Sequence, residues 1–164
     1  MKSLITILGI LGIVGLVVGP LVQAADTATV TATVTVQNIS LTVSDGVISY
    51  GIIPTNSSKS TCDLNDTQIV TNNGNVAETF NIKGQDSANW TLGTTPGSNI
   101  YVHKFATSSC PWTSGTALTT SYQTMQTNVA VNATSTLNLQ ITTPNPSTVF
   151  TEQSVNVTVE AVAY

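Results

Sequence analysis

Beyond residue 24 the chain alternates. In "ADTATVTATVTVQ", residues 25–37, Ala28, Val30, Ala32, Val34 and Val36 share one parity and Thr holds the other. Successive side chains of an extended strand point to opposite faces, so this pattern predicts a strand with one apolar and one hydroxyl face. The phase slips at Gln37-Asn38, after which Ile39, Leu41 and Val43 continue on odd numbers. A one-residue slip exchanges the two faces and needs a bulge, a bend or a change of sheet. It reads as the boundary between an arm, residues 25–37, and a body, residues 38–164.

The body keeps the same period. Asp45-Gly46 signals a turn, and Val47 to Ile53 reads as a strand. Pro54 to Asp66 reads as a loop. Gln68 to Thr71 is a strand, Asn73-Gly74 a turn, and Val76, Glu78, Phe80 and Ile82 alternate beyond it. A short strand at Trp90 to Leu92 sits inside a loop, followed by "NIYVHKF" and a Ser/Thr-rich loop over 106–121. "YQTMQTNVAV" and "STLNLQITT" are two more strands. In the last, "SVNVTVEAVAY", Val155, Val157, Val159 and Ala161 share a face. No helical period appears. Eight or nine short strands with frequent turns predict an all-β fold, a β-sandwich of Ig-like or jelly-roll-like type. Phe80, Trp90, Tyr101, Phe105 and the aliphatic positions are the candidates to fill the layer between its sheets.

The first 24 residues are of another kind. Lys2 precedes the apolar run "LITILGILGIVGLVV", and Val22-Gln23-Ala24 has the form of a small-residue cleavage site, so residues 1–24 read as a secretory signal. A retained anchor is the competing reading, but Leu4 to Val18 falls short of the about 20 apolar residues a spanning helix needs. The basic-Gly processing site of type IV pilin precursors is not visible. Removal of the leader places the chain outside the cell or on its surface. It leaves three lysines and no arginine against eight acids, a net charge of −5. A protein that neutralises phosphates needs basic side chains, so nucleic acid is excluded as a partner. Cys62 and Cys110 are the only cysteines. Export favours a disulfide between them over two reduced thiols. A bridge across that span would add about 4 kcal/mol in the chain-entropy account.

Chemistry is sparse. His103, the single histidine, lies in a strand without a catalytic partner, and one histidine with two distant cysteines does not make a zinc site. Asp63, Asn65 and Asp66 amount to a weak cation loop at most. No phosphate loop, nucleophile elbow or HExxH motif occurs. No catalytic residue, metal ligand or cofactor is assigned, and the chain does not read as an enzyme. Six N-x-S/T sequons begin at Asn38, Asn56, Asn65, Asn89, Asn132 and Asn156. A chain with 45 Ser or Thr and 14 Asn yields about four by chance, so they are candidate N-glycosylation sites only where the source glycosylates.

The arm raises the functional question. Nine alternating residues span about 30 Å. They pair within their own subunit as a first strand, or they complete a neighbour that lacks one. The leader, "ATVTATVTV", "TNNGNVAETFNIKG" and "SVNVTVEAV" together resemble secreted fibre subunits of the TasA/camelysin kind and archaeal bundling pili and threads. The resemblance covers most of the chain beyond the leader as a pattern of architecture. It implies a β-sandwich subunit of a biofilm or surface filament joined by donor strands. Protease activity, a name given to camelysin-like proteins, is not carried over to a chain with one histidine. The expectation is a self-associating structural subunit of an extracellular filament or surface layer, with Ala28, Val30, Ala32, Val34 and Val36 as the polymerising face. The alternative is a monomeric adhesin or carbohydrate-binding module using Trp90, Tyr101 and Trp112 as stacking platforms for glycans.

Overall fold

The computed structural model describes residues 25–164; the expected leader, residues 1–24, lies outside the described residues. The chain divides into two units, one ending at Val34 and a body running from Thr35 to Tyr164. The body contains ten strands and one helical turn among the described residues. In order they are β1 (Leu41–Val43), β2 (Ser58–Ser60), α1 (Thr61–Leu64), β3 (Gln68–Asn72), β4 (Glu78–Lys83), β5 (Thr91–Gly93), β6 (Ile100–Ala106), β7 (Thr116–Ala117), β8 (Gln123–Val129), β9 (Thr134–Thr142) and β10 (Thr158–Ala163).

Two sheets form, as an all-β sandwich requires. The larger runs β1-β3-β9-β6-β5, with β2 also on β9 and β7 on β6; the smaller runs β10-β4-β8. Pairing is antiparallel throughout except between β5 and β6. The long strand β9 organises the larger sheet. One of its sides is shared end to end by β3, at Thr134 to Leu137, and β2, at Gln140 to Thr142. The other side takes β6, with Val102 opposite Thr142 and Ala106 opposite Asn138.

The corner between β2 and β3 is α1, capped by Ser60 and Asp63. The Ser60 N–H donates to Asp63 Oδ2 at 2.7 Å, and the Asp63 N–H donates to Ser60 Oγ at 3.2 Å. This reciprocal pair satisfies two donors that a helix start leaves open. The Ser60 hydroxyl, followed by its backbone N–H, holds the Asp63 carboxyl below the usual carboxylate range. Asn65 ends the turn in the left-handed region with φ of 55°. Buried Asn138 in β9 then gathers the corner. Its Oδ1 accepts from the Thr61 and Thr67 hydroxyls at 2.9 and 2.8 Å, and its Nδ2 donates to Ser108 O at 2.8 Å. Cys62 and Cys110 are joined at the same place, tying the Ser/Thr-rich loop to α1.

Between the sheets lie Val70, Phe80, Ile82, Phe105, Leu118, Met125, Val129, Leu137 and Leu139, all buried. Each large apolar side chain removed from water contributes about 1.5–3 kcal/mol. β3 and β4 alternate buried and half-buried residues along their whole length, as the period predicted.

The body departs from the predicted elements in five places. Val47 to Ile53 has no ladder; Gly46 and Gly51, with φ of 73° and 68°, interrupt the extended geometry on which the alternation relied. The last predicted strand pairs only from Thr158 onward. β2 and β7 appear where the sequence showed loop, because "SKS" and "TA" are too short and polar to display a period. The turn α1 is likewise new.

Phe80 is fully buried at the centre of the smaller sheet. Phe80→Ala is expected to lower the unfolding free energy by about 3–5 kcal/mol in a urea titration.

Candidate assembly surface

The body has an anchoring device at the arm's root, built from the β3–β4 turn, "NNGN". Asn75 does most of the holding. Its Nδ2 donates to Val36 O at 2.8 Å, and its Oδ1 accepts from the Asn38 N–H at 2.8 Å. Its own N–H donates to Asn38 O at 3.1 Å. A side-chain amide thus imitates a strand partner at the point where the alternation slips. One step on, the Asn73 N–H donates to Ser40 O at 2.8 Å, and its Nδ2 donates to the Thr42 hydroxyl at 2.9 Å. The Ser40 N–H donates to Glu78 Oε1 at 2.9 Å. β1 then continues the same edge in register with β3, Leu41 opposite Asn72.

The turn itself is braced from beneath. Buried Asn72 accepts the Gly74 N–H on Oδ1 at 2.7 Å and donates through Nδ2 to Val76 O and Val129 O, each at 2.9 Å. Gly74 is required: a Cβ there would run into Glu78 Oε1 and Asn38 O. Glu78 is fully buried in β4, and its Oε2 has no hydrogen-bond partner among the described residues. The sequence marked this segment as a turn. It did not show that the turn grips residues 36–42, because the partners lie 31 to 39 positions away.

Residues 25–37 were predicted as a strand, and here the structure differs. They form no ladder among the described residues, and Ala28, Val30, Ala32, Val34 and Val36 are all exposed. Val30, Val34 and Val36 are 94%, 91% and 81% exposed. Extended backbone becomes a strand only when its N–H and C=O groups find partners.

The body has backbone outside any ladder. Between Asp45 and Thr55, and again between Ser147 and Val157, no main-chain group bonds to another main-chain group among the described residues, although side chains such as Gln68 and Asn99 take some of them. Each run nevertheless touches the core. Ile48 packs against it from the first, and Val157 from the second, followed by Val159 and Ala161 of β10. Leu41 and Val43 on β1, Leu92 and Ala133 are half covered against the core as well. On the opposite flank of the smaller sheet, Met125 and Val129 of β8 are buried. Two open clefts of ≈470 and ≈460 Å³ lie on that flank, with Gln126, Asn128, Thr134 and Thr136 on the first and Ser114 and Thr124 on the second.

The remaining candidates fall elsewhere. Tyr101 is buried, and its hydroxyl donates to Gln85 O, so it cannot serve as a surface stacking platform; Trp90 leans on it at 6.3 Å. Trp112 is half-buried against Gly115, where a Cβ would strike its ring. Asp63 and Asn65 cap α1, and Asp66 Oδ1 accepts from Gln68 Nε2 at 2.8 Å, so all three loop groups serve the corner. No cluster of metal-ligating side chains occurs among the described residues. All six sequon asparagines, Asn38, Asn56, Asn65, Asn89, Asn132 and Asn156, are exposed, and Asn56, Asn65 and Asn132 occupy left-handed turn positions. His103 is buried in β6. Its Nε2 meets the Tyr50 hydroxyl at 3.0 Å, and its Nδ1 has no partner among the described residues. Burial pulls its pKa down to about 4, and burial raises that of Tyr50.

No protein-family model, curated protein or solved structure matches the chain.

Two outcomes follow from this geometry. Asn75→Ala removes both side-chain bonds to the arm root, and the Asn38 amide is expected to exchange with solvent about 5–30-fold faster, as loss of 1–2 kcal/mol implies. For His103, the unfolded ring takes a proton below about pH 6.5 while the buried ring stays neutral down to about pH 4. Its contribution to stability is therefore complete above pH 6.5 and lost as pH falls toward 4, on the order of 3 kcal/mol. Urea midpoints should fall more steeply across that window for the native chain than for His103→Gln.

Proposed function

We propose that this protein is the structural subunit of an extracellular filament or surface layer, in which each copy donates residues 25–37 to the next. The observation that carries the reading is the arm: a run of alternating apolar side chains, exposed and without a ladder among the described residues, attached to a body that leaves apolar residues around its core only half covered. A sheet edge with free N–H and C=O groups is a template for another chain. An added strand supplies main-chain bonds along its length and side chains at every second position.

The energetics favour the contact. Burying three valines contributes about 1.5–3 kcal/mol each, and each ladder bond adds about 0.5–1.5 kcal/mol. From Thr27 to Ser44 no residue is charged, so no ion has to leave water. The Thr face stays compatible with solvent. Because arm and acceptor are different surfaces, the contact is heterologous and propagates into an open chain of copies. The leader expected at residues 1–24 and the Cys62–Cys110 bridge fit an exported protein, and the exposed sequons would carry glycans where the host attaches them. The resemblance to TasA/camelysin-type and archaeal thread subunits points the same way.

The test is assembly of the native chain against a Val30→Asp/Val34→Asp variant, read by sedimentation and negative-stain microscopy. The native protein is expected to form long fibres. The variant is expected to remain dispersed, with an unfolding free energy within about 0.5 kcal/mol of native, since both sites are exposed. Fibres from the variant, or dispersed native particles at high concentration, overturn the proposal.

A further inference from the structure

We infer that the acceptor for the arm is the free edge of β10 together with the unpaired run that leads into it, residues 153–162, and that its occupant is residues 28–36 of a second copy. The inference rests on the filament reading and asks which edge of the body that filament uses.

The smaller sheet ends on β10 at one side and β8 at the other. The two edges differ in what they leave uncovered. Core-facing Met125 and Val129 of β8 are already buried, and the clefts beside them, though they take in Ala106, Ala130 and Ala133, expose mainly polar surface from residues such as Gln126, Asn128 and Thr124. A strand laid there would set valines against hydroxyls and amides, which lose their water without gaining partners. The β10 edge is the reverse. Val157, Val159 and Ala161 touch the core yet remain half exposed, as do Leu41, Val43 and Ile48, which reach the same core from β1 and the run after it. These six are most of the apolar residues left partly covered around the core.

The backbone argues likewise. β10 pairs with β4 from Thr158 to Ala163, which leaves its other side without a strand among the described residues. Residues 153–157 have no main-chain partner on either side among the described residues, yet their side chains already alternate: Gln153, Val155 and Val157 half-buried, Ser154 and Asn156 exposed. This is the facing of a sheet whose ladder is missing.

Length and charge agree with the occupant. Residues 153–162 and residues 28–36 each extend about 30–33 Å at the rise of a strand. Five inward positions on the edge, 153, 155, 157, 159 and 161, meet five on the arm, Ala28, Val30, Ala32, Val34 and Val36. Residues 28–36 carry no charge. The one acid within the acceptor, Glu160, already receives Asn81 Nδ2 at 3.3 Å. Asn156 points away from the core face, so a glycan there would not occupy the slot.

Amide hydrogen exchange on the full native chain tests this without any substitution. Size-selected monomer is compared with pelleted assembly. Amides of residues 28–36 and 153–157, and alternate amides of β10, are expected to slow at least tenfold on assembly, while those of β8 are unchanged. Protection of the arm together with Gln123–Val129 or Leu41–Val43 instead of β10 overturns this acceptor and leaves the filament standing. Assembly without protection of residues 28–36, or no assembly at all, overturns the filament reading and this inference with it.

Discussion

An extended backbone close to a hydrophobic core has to find hydrogen-bond partners, and this body does not supply enough of them. A buried or half-buried peptide group without a partner forfeits free energy comparable to a lost hydrogen bond. Elsewhere the chain meets the requirement with care. β9 bonds three different strands, α1 caps itself, and Asn72 and Asn138 each bridge backbone or side chains from separate parts of the fold. Against that background the two runs without main-chain partners stand out. Residues 153–157 retain the alternation of a strand, and Ile48 and Val157 reach the core from the two runs.

The latch at residues 36–42 complements the open flank. By bonding Val36, Asn38, Ser40 and Thr42 through Asn73, Asn75 and Glu78, the β3–β4 turn settles where the body stops. It also absorbs the phase slip. The parity of the arm is thereby independent of β1, and its valines need not face the core that Leu41 and Val43 face. In the proposed filament this lets one continuous segment serve two sandwiches.

Side-chain alternation made the all-β class and most strands legible, because it reports which face a residue presents. It does not report whether a neighbour exists. That is why Val47 to Ile53 and the stretch before Thr158 read as strands although neither has a ladder here. Short polar strands such as Ser58–Ser60 carry no period at all, yet they form because β9 offers them a free edge. The disulfide was legible because two cysteines allow one pairing. The role of Asn75 was not, since an amide imitating a strand partner across 37 positions leaves no local trace. Nor was the burial of His103, which depends on how Tyr50 closes over β6.

The charge-free run from Thr27 to Ser44 has an environmental consequence. Attraction between ions weakens with dissolved electrolyte, whereas apolar burial does not, and it is strengthened by ions excluded from protein surfaces. A polymer linked through this segment would hold equally well in dilute and in saline surroundings. Cold, not brine, would loosen its joints.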